Sequence, residues 1–333
     1  MTAPILHGGG ISEAAALFGG EPADWLDLST GINPCPAPLP EIDPRVWHRL
    51  PDSHLEEAAR AAASRYYRTG GLLPLPVPGT QAAIQLLPRL AASAKRAAVC
   101  APTYGEYARV LRAAGLAVDF VERADDLAAA HGIAVVVNPN NPTGRLFAPE
   151  EILAMAEVMK AHGGFLVVDE AFGDLTPEAS VAPQAAAHDN LVVFRSFGKF
   201  FGLAGMRLGF VVSSRPIADR FREWLGPWSV SGPALFISKK LMGAATAEIA
   251  KRIWERKAGL DAALENAGLK VIGGTGLFAL VEHAHAGDLH RALCEARILT
   301  RKFDYNPRWL RIGLAANENE DRRLGEALSR AGA

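Results

Sequence analysis

The most informative segment of this chain reads Phe194-Arg195-Ser196-Phe197-Gly198-Lys199-Phe200-Phe201-Gly202-Leu203-Ala204-Gly205-Met206-Arg207-Leu208-Gly209-Phe210. A predicted strand ends at Ser196, and a glycine-rich loop carries Lys199 to a second predicted strand. A lysine between two buried strands lies where α/β proteins bind ligands. An isolated lysine is usually a solvated surface group, but aromatic residues and glycines flank this one, and Arg207 follows in the same loop. A desolvated lysine near a cationic group loses its proton more readily and becomes a nucleophile for aldehydes.

On both sides of this segment, between residues 72 and 213, short apolar runs alternate with helical patterns. Hydrophobicity within the runs is continuous, which predicts strands covered on both faces. Their alternation with helices predicts a mostly parallel sheet. The predicted strands are Leu73–Val77, Ala97–Ala101, Ala117–Val121, Ile133–Asn138, Phe165–Glu170, Leu191–Ser196 and Leu208–Ser213.

The pattern changes after Pro227, where a long helical tract over about 233–267 is followed by short strands and two further helices. This pattern is typical of a smaller α+β domain. We therefore predict an α/β fold class, in which a large domain with a mostly parallel sheet flanked by helices is joined to a smaller α+β domain. The predicted large domain spans 43–228, and the linking helix and small domain span 229–333. Residues 1–42 are predicted to form a segment that packs on both domains or on the small one.

Composition excludes several classes of function. The 35 basic and 36 acidic residues leave a net charge of -1, without the basic excess of a nucleic-acid-binding protein. The cysteines are three in number and far apart, so neither a metal site nor a disulfide framework is expected, and a reducing cytoplasm is the expected location. The first residues lack the pattern of a signal peptide, and no apolar run is long enough to span a bilayer.

Three further motifs follow predicted strands. In Val77-Pro78-Gly79-Thr80-Gln81-Ala82 a strand ends and a helix begins, so the free amides of Gly79, Thr80 and Gln81 form a candidate phosphate cradle, although an ordinary turn looks similar. The segment Asn138-Pro139-Asn140-Asn141-Pro142-Thr143-Gly144 closes another strand with turn residues. In the third motif, Asp169 ends a buried strand. In an alternative interpretation, Asp169 and Glu170 are the acidic pair of an ATPase. The chain has no GxxxxGK[ST] motif, which disfavours this alternative.

Together these motifs resemble those of the fold-type I pyridoxal 5′-phosphate (PLP) enzymes, the aspartate aminotransferase superfamily. In that family a serine stands three residues before the lysine and an arginine eight residues after it, as Ser196 and Arg207 do here (199 − 196 = 3; 207 − 199 = 8). The resemblance implies that Lys199 binds PLP as a Schiff base and that Ser196 and Arg207 hold its phosphate, for which a hydroxyl and a guanidinium are suited. It also implies a hydrogen bond from Asn141 to the ring hydroxyl, pairing of Asp169 with the protonated pyridine nitrogen, and stacking of Tyr104 on the ring.

Two arginines in the predicted small domain are candidates for substrate binding. Arg311 lies within an apolar strand, where an arginine is costly unless paired, and resembles the arginine that binds the substrate carboxylate in this family. A structural salt bridge is the alternative for Arg311. Arg301 ends another predicted strand and is a candidate for the substrate phosphate or carboxylate, although a surface arginine fits equally well.

The N-terminal residues resemble one branch of the superfamily, the threonine-phosphate decarboxylases of cobalamin biosynthesis. That branch opens with a His-Gly-Gly segment and an Ile-Asn-Pro loop, which match the segments at His7 and Asn33. Phe172 stands where many aminotransferases carry a tyrosine, and phenylalanine fits the decarboxylase pattern. Leu50 departs from both groups, because a tyrosine at this position usually reaches the cofactor phosphate of the partner subunit.

The resemblance implies PLP-dependent decarboxylation of L-threonine O-3-phosphate to (R)-1-amino-2-propanol O-2-phosphate and CO₂ by a homodimer. His7, Asn33 and Arg301 are the candidates for the substrate phosphate. The main alternative is an aminotransferase of the histidinol-phosphate type. Two others are a PLP-sensing module without catalysis, which the lack of a DNA-binding extension disfavours, and a chain that no longer binds PLP.

Overall fold

A computed structural model describes residues 8–91 and 94–332. The helices are α1 (Ile11–Phe18), α2 (Pro44–His48), α3 (Ser53–Tyr66), α4 (Thr80–Leu90), α5 (Glu106–Ala113), α6 (Pro149–Ala161), α7 (Arg215–Leu225), α8 (Gly232–Met242), α9 (Ala247–Asn266), α10 (Ala286–Glu295) and α11 (Glu318–Arg330). The strands are β1 (Leu26–Asp27), β2 (Leu75–Val77), β3 (Arg96–Cys100), β4 (Ala117–Val121), β5 (His131–Val137), β6 (Phe165–Asp169), β7 (Leu191–Ser196), β8 (Gly209–Ser213), β9 (Lys270–Thr275), β10 (Phe278–Glu282), β11 (Ile298–Leu299), β12 (Arg301–Phe303) and β13 (Asn306–Gly313). No helix in these two ranges has both the length and the apolar character needed to cross a bilayer.

The chain divides into two compact units. The large unit comprises residues 37–141 and 145–246, and the small unit comprises 8–36, 142–144 and 247–332. Within the described residues, the sheet of the large unit has the order β2-β8-β7-β6-β5-β3-β4. Strands β3 to β7 are parallel, whereas β8 is antiparallel to both β7 and β2. The predicted α/β class with a mostly parallel sheet is confirmed.

The ends of β5, β6 and β7 lie in register at one edge of this sheet. Val137 of β5 pairs with Asp169 of β6, and Asp169 pairs with Phe194 of β7. Because parallel strands run in the same direction, the loops that follow these three strands all leave the sheet at this edge. The residues before the edge, such as Val167 in β6, are fully buried and anchor the strands in the core.

The antiparallel strand β8 brings two more loops to the same edge. Gly209, its first residue, pairs with Ser196 at the end of β7 and with Val77 at the end of β2. A Cβ at Gly209 would lie 2.9 Å from the amide nitrogen of Thr80, so this close approach of α4 requires glycine. The Lys199 loop and the β2–α4 turn therefore emerge beside the loops after β5 and β6.

The small unit contains an antiparallel sheet of order β12-β13-β10-β9 and the parallel pair β1–β11, as far as the chain is described. Residues 8–36 belong to this unit because β1 pairs with β11 and because the Gly313 amide donates to the Leu28 carbonyl over 2.7 Å. A Cβ at Gly313 would lie 2.3 Å from the carbonyl oxygen of Thr30, so glycine is required at this contact as well.

The helical tract that we predicted over 233–267 is two helices, α8 and α9, and they belong to different units. Gly243 follows the last residue of α8, and glycine destabilises a continuing helix. The buried face of α8, which includes Leu235 and Leu241, packs on α2 and α3 of the large unit. The large unit therefore extends to residue 246, whereas the sequence patterns placed its boundary at 228.

Candidate active site

Lys199 lies half-buried in the loop between β7 and β8. Its ammonium nitrogen is 5.7 Å from the centre of the Phe172 ring, and its positive charge acts on the carboxylate of Asp169. On either side of the lysine, Phe197 and Phe201 are fully buried and stack with their ring centres 4.3 Å apart. The loop is thus anchored in the core on both sides of the lysine.

Asp169, at the end of β6, is a buried carboxylate with two hydrogen bonds. It accepts one from the Tyr107 hydroxyl over 2.7 Å and one from the Ala171 amide over 3.0 Å. Burial raises the pKa of Asp169, while both hydrogen bonds and the charge of Lys199 act to lower it. A buried carboxylate in this setting is suited to a cationic partner. Sequence reasoning missed Tyr107, although it stands only three residues after the candidate Tyr104.

The predicted phosphate cradle is brought together with Arg207. Both Gly79 and Arg207 have positive φ, +76° and +53°. A Cβ at Gly79 would lie 2.8 Å from Nη2 of Arg207, so a side chain at this position would require the guanidinium to move. Helix α4 begins at the next residue, Thr80, and its first amides have no partner within the helix. A guanidinium beside a helix N-terminus is a site for an anion such as a phosphate.

The prediction for Gln81 concerned its backbone amide, and its side chain has a further set of contacts. Its Nε2 donates to Glu106 over 2.7 Å, and its Oε1 accepts from the Tyr104 hydroxyl over 3.2 Å. Glu106 is buried and is also bound by Arg109 through two hydrogen bonds of 2.7 Å. The Gln81 side chain therefore orients Tyr104, and only its backbone amide remains for a phosphate. Glu106 was missed because its partner lies 25 residues away.

Asn141 lies in the turn after β5, and its neighbours fix that turn. Asn138 accepts from the Phe147 amide over 2.8 Å and donates to the Phe147 carbonyl over 3.3 Å. Asn140 accepts from the Thr103 hydroxyl over 2.6 Å. These buried bonds hold the backbone ahead of the half-buried Asn141, at the same sheet edge as Asp169.

In the small unit, Arg311 and Arg301 lie directly opposite each other on β13 and β12. Directly paired side chains share one face of a sheet. Arg311 is buried, donates from Nη2 to the Ser29 carbonyl over 2.6 Å, and lies 5.0 Å from the centre of the Phe278 ring. Two guanidinium groups on one face repel each other, and this repulsion favours the binding of anionic groups beside them.

The two remaining candidates belong to the N-terminal part of the chain. Asn33 is buried in the small unit, and its side-chain oxygen accepts from the Cys35 amide over 2.9 Å. This bond has a structural role in a turn. His7 lies outside the described residues. The Gly9 amide nearby donates to the Ser29 hydroxyl over 2.7 Å, so the segment that follows His7 is bound to the same residue as Arg311.

The large unit therefore combines an amine, a buried carboxylate and an anion cradle at one sheet edge. These groups come from Lys199, Asp169, Arg207 and the start of α4. PLP carries an aldehyde, a basic ring nitrogen and a phosphate, and each has a matching group here. The cradle fits the cofactor phosphate, since a Cβ at Gly79 would lie against the Arg207 guanidinium. The desolvated Asp169 carboxylate fits the ring nitrogen.

Comparison with known proteins gives three findings. The family model described as aminotransferase class I and II matches residues 23–328. The chain is 66% identical over 330 residues to a Sinorhizobium sp. protein named threonine-phosphate decarboxylase, covering 99% of each. It is 42% identical over 326 residues to a Pseudomonas aeruginosa protein of the same name, covering 97% of this chain and 96% of that one.

A solved structure shares the fold. It is described as histidinol-phosphate aminotransferase from Sinorhizobium meliloti in complex with pyridoxal-5′-phosphate, and it aligns with a TM-score of 0.83. The alignment covers 99% of this chain and 95% of that one at 20% identity, a level that supports a shared fold and no finer likeness.

Proposed function

Because the chain belongs to the aminotransferase class I and II family, we propose that it binds PLP and decarboxylates L-threonine O-3-phosphate to (R)-1-amino-2-propanol O-2-phosphate and CO₂. Membership confirms the superfamily that the motifs around Lys199 indicated. The observation that carries this substrate and reaction is the similarity, over almost the full length, to two proteins named threonine-phosphate decarboxylase. Phe172 supports it, since the side chain facing Lys199 lacks the hydroxyl of many aminotransferases.

The large unit supplies the groups that hold the cofactor. PLP provides an electron sink for the pair left at Cα when the bond to the carboxylate breaks. Lys199 would hold the cofactor aldehyde through its amine, which is the group on this chain suited to that bond. Asp169 keeps a proton on the ring nitrogen. The phosphate and the rest of the ring are held by Arg207, Ser196, the amides of Gly79, Thr80 and Gln81, the amide side chain of Asn141 and the ring of Tyr104.

The small unit supplies the groups for the substrate. Arg311 binds the substrate carboxylate, for which a buried guanidinium is suited. Arg301, directly opposite on the neighbouring strand, binds the substrate phosphate together with Asn33 and His7. A substrate with two anionic groups matches two arginines on one sheet face, whereas a substrate with one carboxylate leaves the second arginine unused.

The decisive experiment supplies the purified holoenzyme with L-threonine O-3-phosphate and no keto acid. We expect CO₂ release in step with loss of substrate. Strict dependence on 2-oxoglutarate would contradict decarboxylation and support an aminotransferase. Lys199→Ala should lose the absorbance band of the lysine-bound cofactor and reduce turnover by roughly 10⁴-fold or more. Lys251→Ala is the control, because Lys251 is an exposed lysine of α9 in the small unit.

The cellular setting is also part of the proposal. The three cysteines are all free, which supports a reducing cytoplasm as the working location. A homodimer is supported by apolar side chains that the large unit exposes around α2. A small phosphorylated amino acid is the proposed partner, and the balanced charge of the chain gives no reason to expect binding to nucleic acid.

A further inference from the structure

Three buried charges form an ion-pair cluster beside the proposed cofactor site. Nη1 of Arg195 lies 2.7 Å from Oε2 of Glu170, and Nη2 lies 3.1 Å from Oδ1 of Asp174. The three side chains are 4%, 1% and 3% exposed. No role proposed above uses this cluster, which we call the Arg195 clamp (Arg195, Glu170 and Asp174).

The clamp lies on the opposite side of the strands from the site residues. Asp169 and Glu170 are consecutive at the end of β6, and Arg195 and Ser196 are consecutive at the end of β7. Consecutive residues of a strand point to opposite faces. The Glu170 amide donates to the Phe194 carbonyl over 2.9 Å, so the ladder continues one residue beyond β6. The ion pair therefore joins the two strand ends on the face away from Asp169 and Ser196.

The clamp holds the segment 169–174 at two points. Glu170 and Asp174 are four residues apart (174 − 170 = 4), and one guanidinium binds both. Between them, Phe172 faces Lys199. Gly173 permits this arrangement, because a Cβ at that position would lie 2.8 Å from Nη1 of Arg195.

Each acid of the clamp is fixed by a further partner. Oε1 of Glu170 accepts from the Val181 amide over 2.7 Å. Oδ1 of Asp174 accepts from the Tyr66 hydroxyl over 3.0 Å. The guanidinium carbon of Arg195 lies 4.5 Å from the centre of the Tyr67 ring. Arg195 thus lies between two acids that have further partners, and it joins the two strand ends through them.

Stability alone is a weak reason for three buried charges. Replacing a buried ion pair with apolar residues of similar volume is often neutral or stabilising, because desolvation offsets the attraction between the charges. A geometric role is a stronger reason, since buried hydrogen-bonded networks specify one arrangement of the backbone. Here that backbone carries Asp169 and Phe172, which lie near Lys199.

We propose that Arg195 is a positioning residue, which fixes Asp169 and Phe172 relative to Lys199 by binding Glu170 and Asp174. Asp169 acts through the cofactor, so this role rests on the proposed function. Lysine at position 195 retains the charge but lacks the planar fork that binds both acids. Arg195→Lys should therefore loosen the segment 169–174 while the net charge of the cluster stays the same.

The test compares Arg195→Lys with wild-type holoenzyme. We expect the Kd for PLP to rise roughly tenfold, as for the loss of other supporting hydrogen bonds to ligating groups. The pH midpoint of the absorbance band of the lysine-bound cofactor should move by about half a unit or more. With the substrate, kcat should fall by a larger factor than KM changes.

Arg256→Lys is the matched control. Arg256 forms an ion pair of 2.8 Å with Asp321 in the small unit, and both side chains are largely buried. It should lower the melting temperature without changing the Kd for PLP or the pH midpoint. If Arg195→Lys behaves in the same way, Arg195 is only structural and the inference is overturned.

Two nearly isosteric variants, Glu170→Gln and Asp174→Asn, provide the same readouts if Arg195→Lys does not fold. If the wild type shows the cofactor band and both variants keep the wild-type pH midpoint and Kd for PLP, the positioning role alone is overturned. Absence of the band from the wild type would overturn the proposed function, and the positioning role with it.

Discussion

The ionised Asp169 carboxylate is unfavourable in the cofactor-free protein, although the proposed site depends on it. Its carboxylate is 5% exposed, and burial raises its pKa despite two hydrogen bonds that lower it. The ionised form is therefore destabilised until a cation binds beside it. Functional sites often contain such groups, because the chemistry needs a residue that the fold alone would not favour.

Asp169→Asn should make the cofactor-free protein more stable than the wild type at about pH 8. A carboxyl group with a raised pKa contributes stability below its unfolded value of about 4, and this contribution is lost as pH rises through the folded pKa. The stability advantage of the variant over the wild type should therefore grow with pH. Its affinity for PLP should be lower than that of the wild type. Thermal unfolding of the cofactor-free proteins at several pH values measures the trend.

Asp43→Asn is the control for this prediction. The Asp43 side chain is 41% exposed, and hydrogen bonds from Arg45 lower its pKa to about 2, so its substitution should give no advantage that grows with pH. Equal stability of Asp169→Asn and wild type across the whole pH range would contradict the prediction.

The sequence patterns identified candidate site residues that lie close together in the chain. They missed residues whose partners are far away in the chain. Lys199, Ser196 and Arg207 lie within one segment, so their pattern is visible in the sequence. Tyr107 and Glu106 act on partners 62 and 25 residues away, and only the register of the sheet brings them together. Their supporting roles therefore became apparent from the fold.

At the scale of elements, the close approach of α4 to β8 shapes the proposed phosphate site. The N-terminus of α4 lies against Gly209, and the guanidinium of Arg207 lies against Gly79. Two glycines thus bring a helix N-terminus and an arginine into one small volume, where partial and full positive charges combine to attract an anion.

Gly79→Ala should weaken PLP binding by roughly tenfold, because the new Cβ displaces the guanidinium from the phosphate site. The φ of +76° at this position adds strain for any residue with a side chain. Spectroscopic titration of the cofactor-free variant with PLP measures the change. Gly205→Ala is the control, since Gly205 lies in the loop that carries Arg207 and a Cβ there meets no atom within 4 Å. Equal Kd values for the two variants would refute this account of the cradle.

The strands of the large sheet were predicted well, but one break between helices was not. The apolar runs gave the seven strands of this sheet to within two residues at each end. Most of these strands are buried, and a buried strand leaves an uninterrupted hydrophobic signal. The break between α8 and α9 was missed, because Gly243 is one residue within a continuous helical pattern. Which unit each helix packs against depends on tertiary contacts that this pattern does not encode.

At the scale of the whole molecule, the large unit exposes apolar side chains around α2. Leu39, Trp47, Leu50 and Trp228 are 62%, 63%, 66% and 60% exposed, and α2 packs on α8, which begins shortly after Trp228. Single exposed apolar residues are common, but several in one region indicate an association surface. Leu50 stands where the family resemblance places a tyrosine that reaches the partner subunit, so a second copy of the chain is the proposed partner.

The family and fold were predictable because the motifs are local and the sheet is buried. The proposed homodimer was not predictable from composition, since the exposure of Trp47 and Leu50 depends on how α2 packs. The same sequence with these side chains buried would present no such surface.

Trp47→Glu should shift the proposed dimer toward monomer, because it places a charge in an apolar surface. Light scattering and sedimentation over a range of protein concentrations measure the shift. Trp254→Glu is the control, because Trp254 is a half-exposed tryptophan on α9 of the small unit. If the dimer completes the site, Trp47→Glu should also lose PLP on dilution, while Trp254→Glu retains it. A wild-type protein that is monomeric at concentrations where it releases CO₂ at full rate would contradict both the surface and its role.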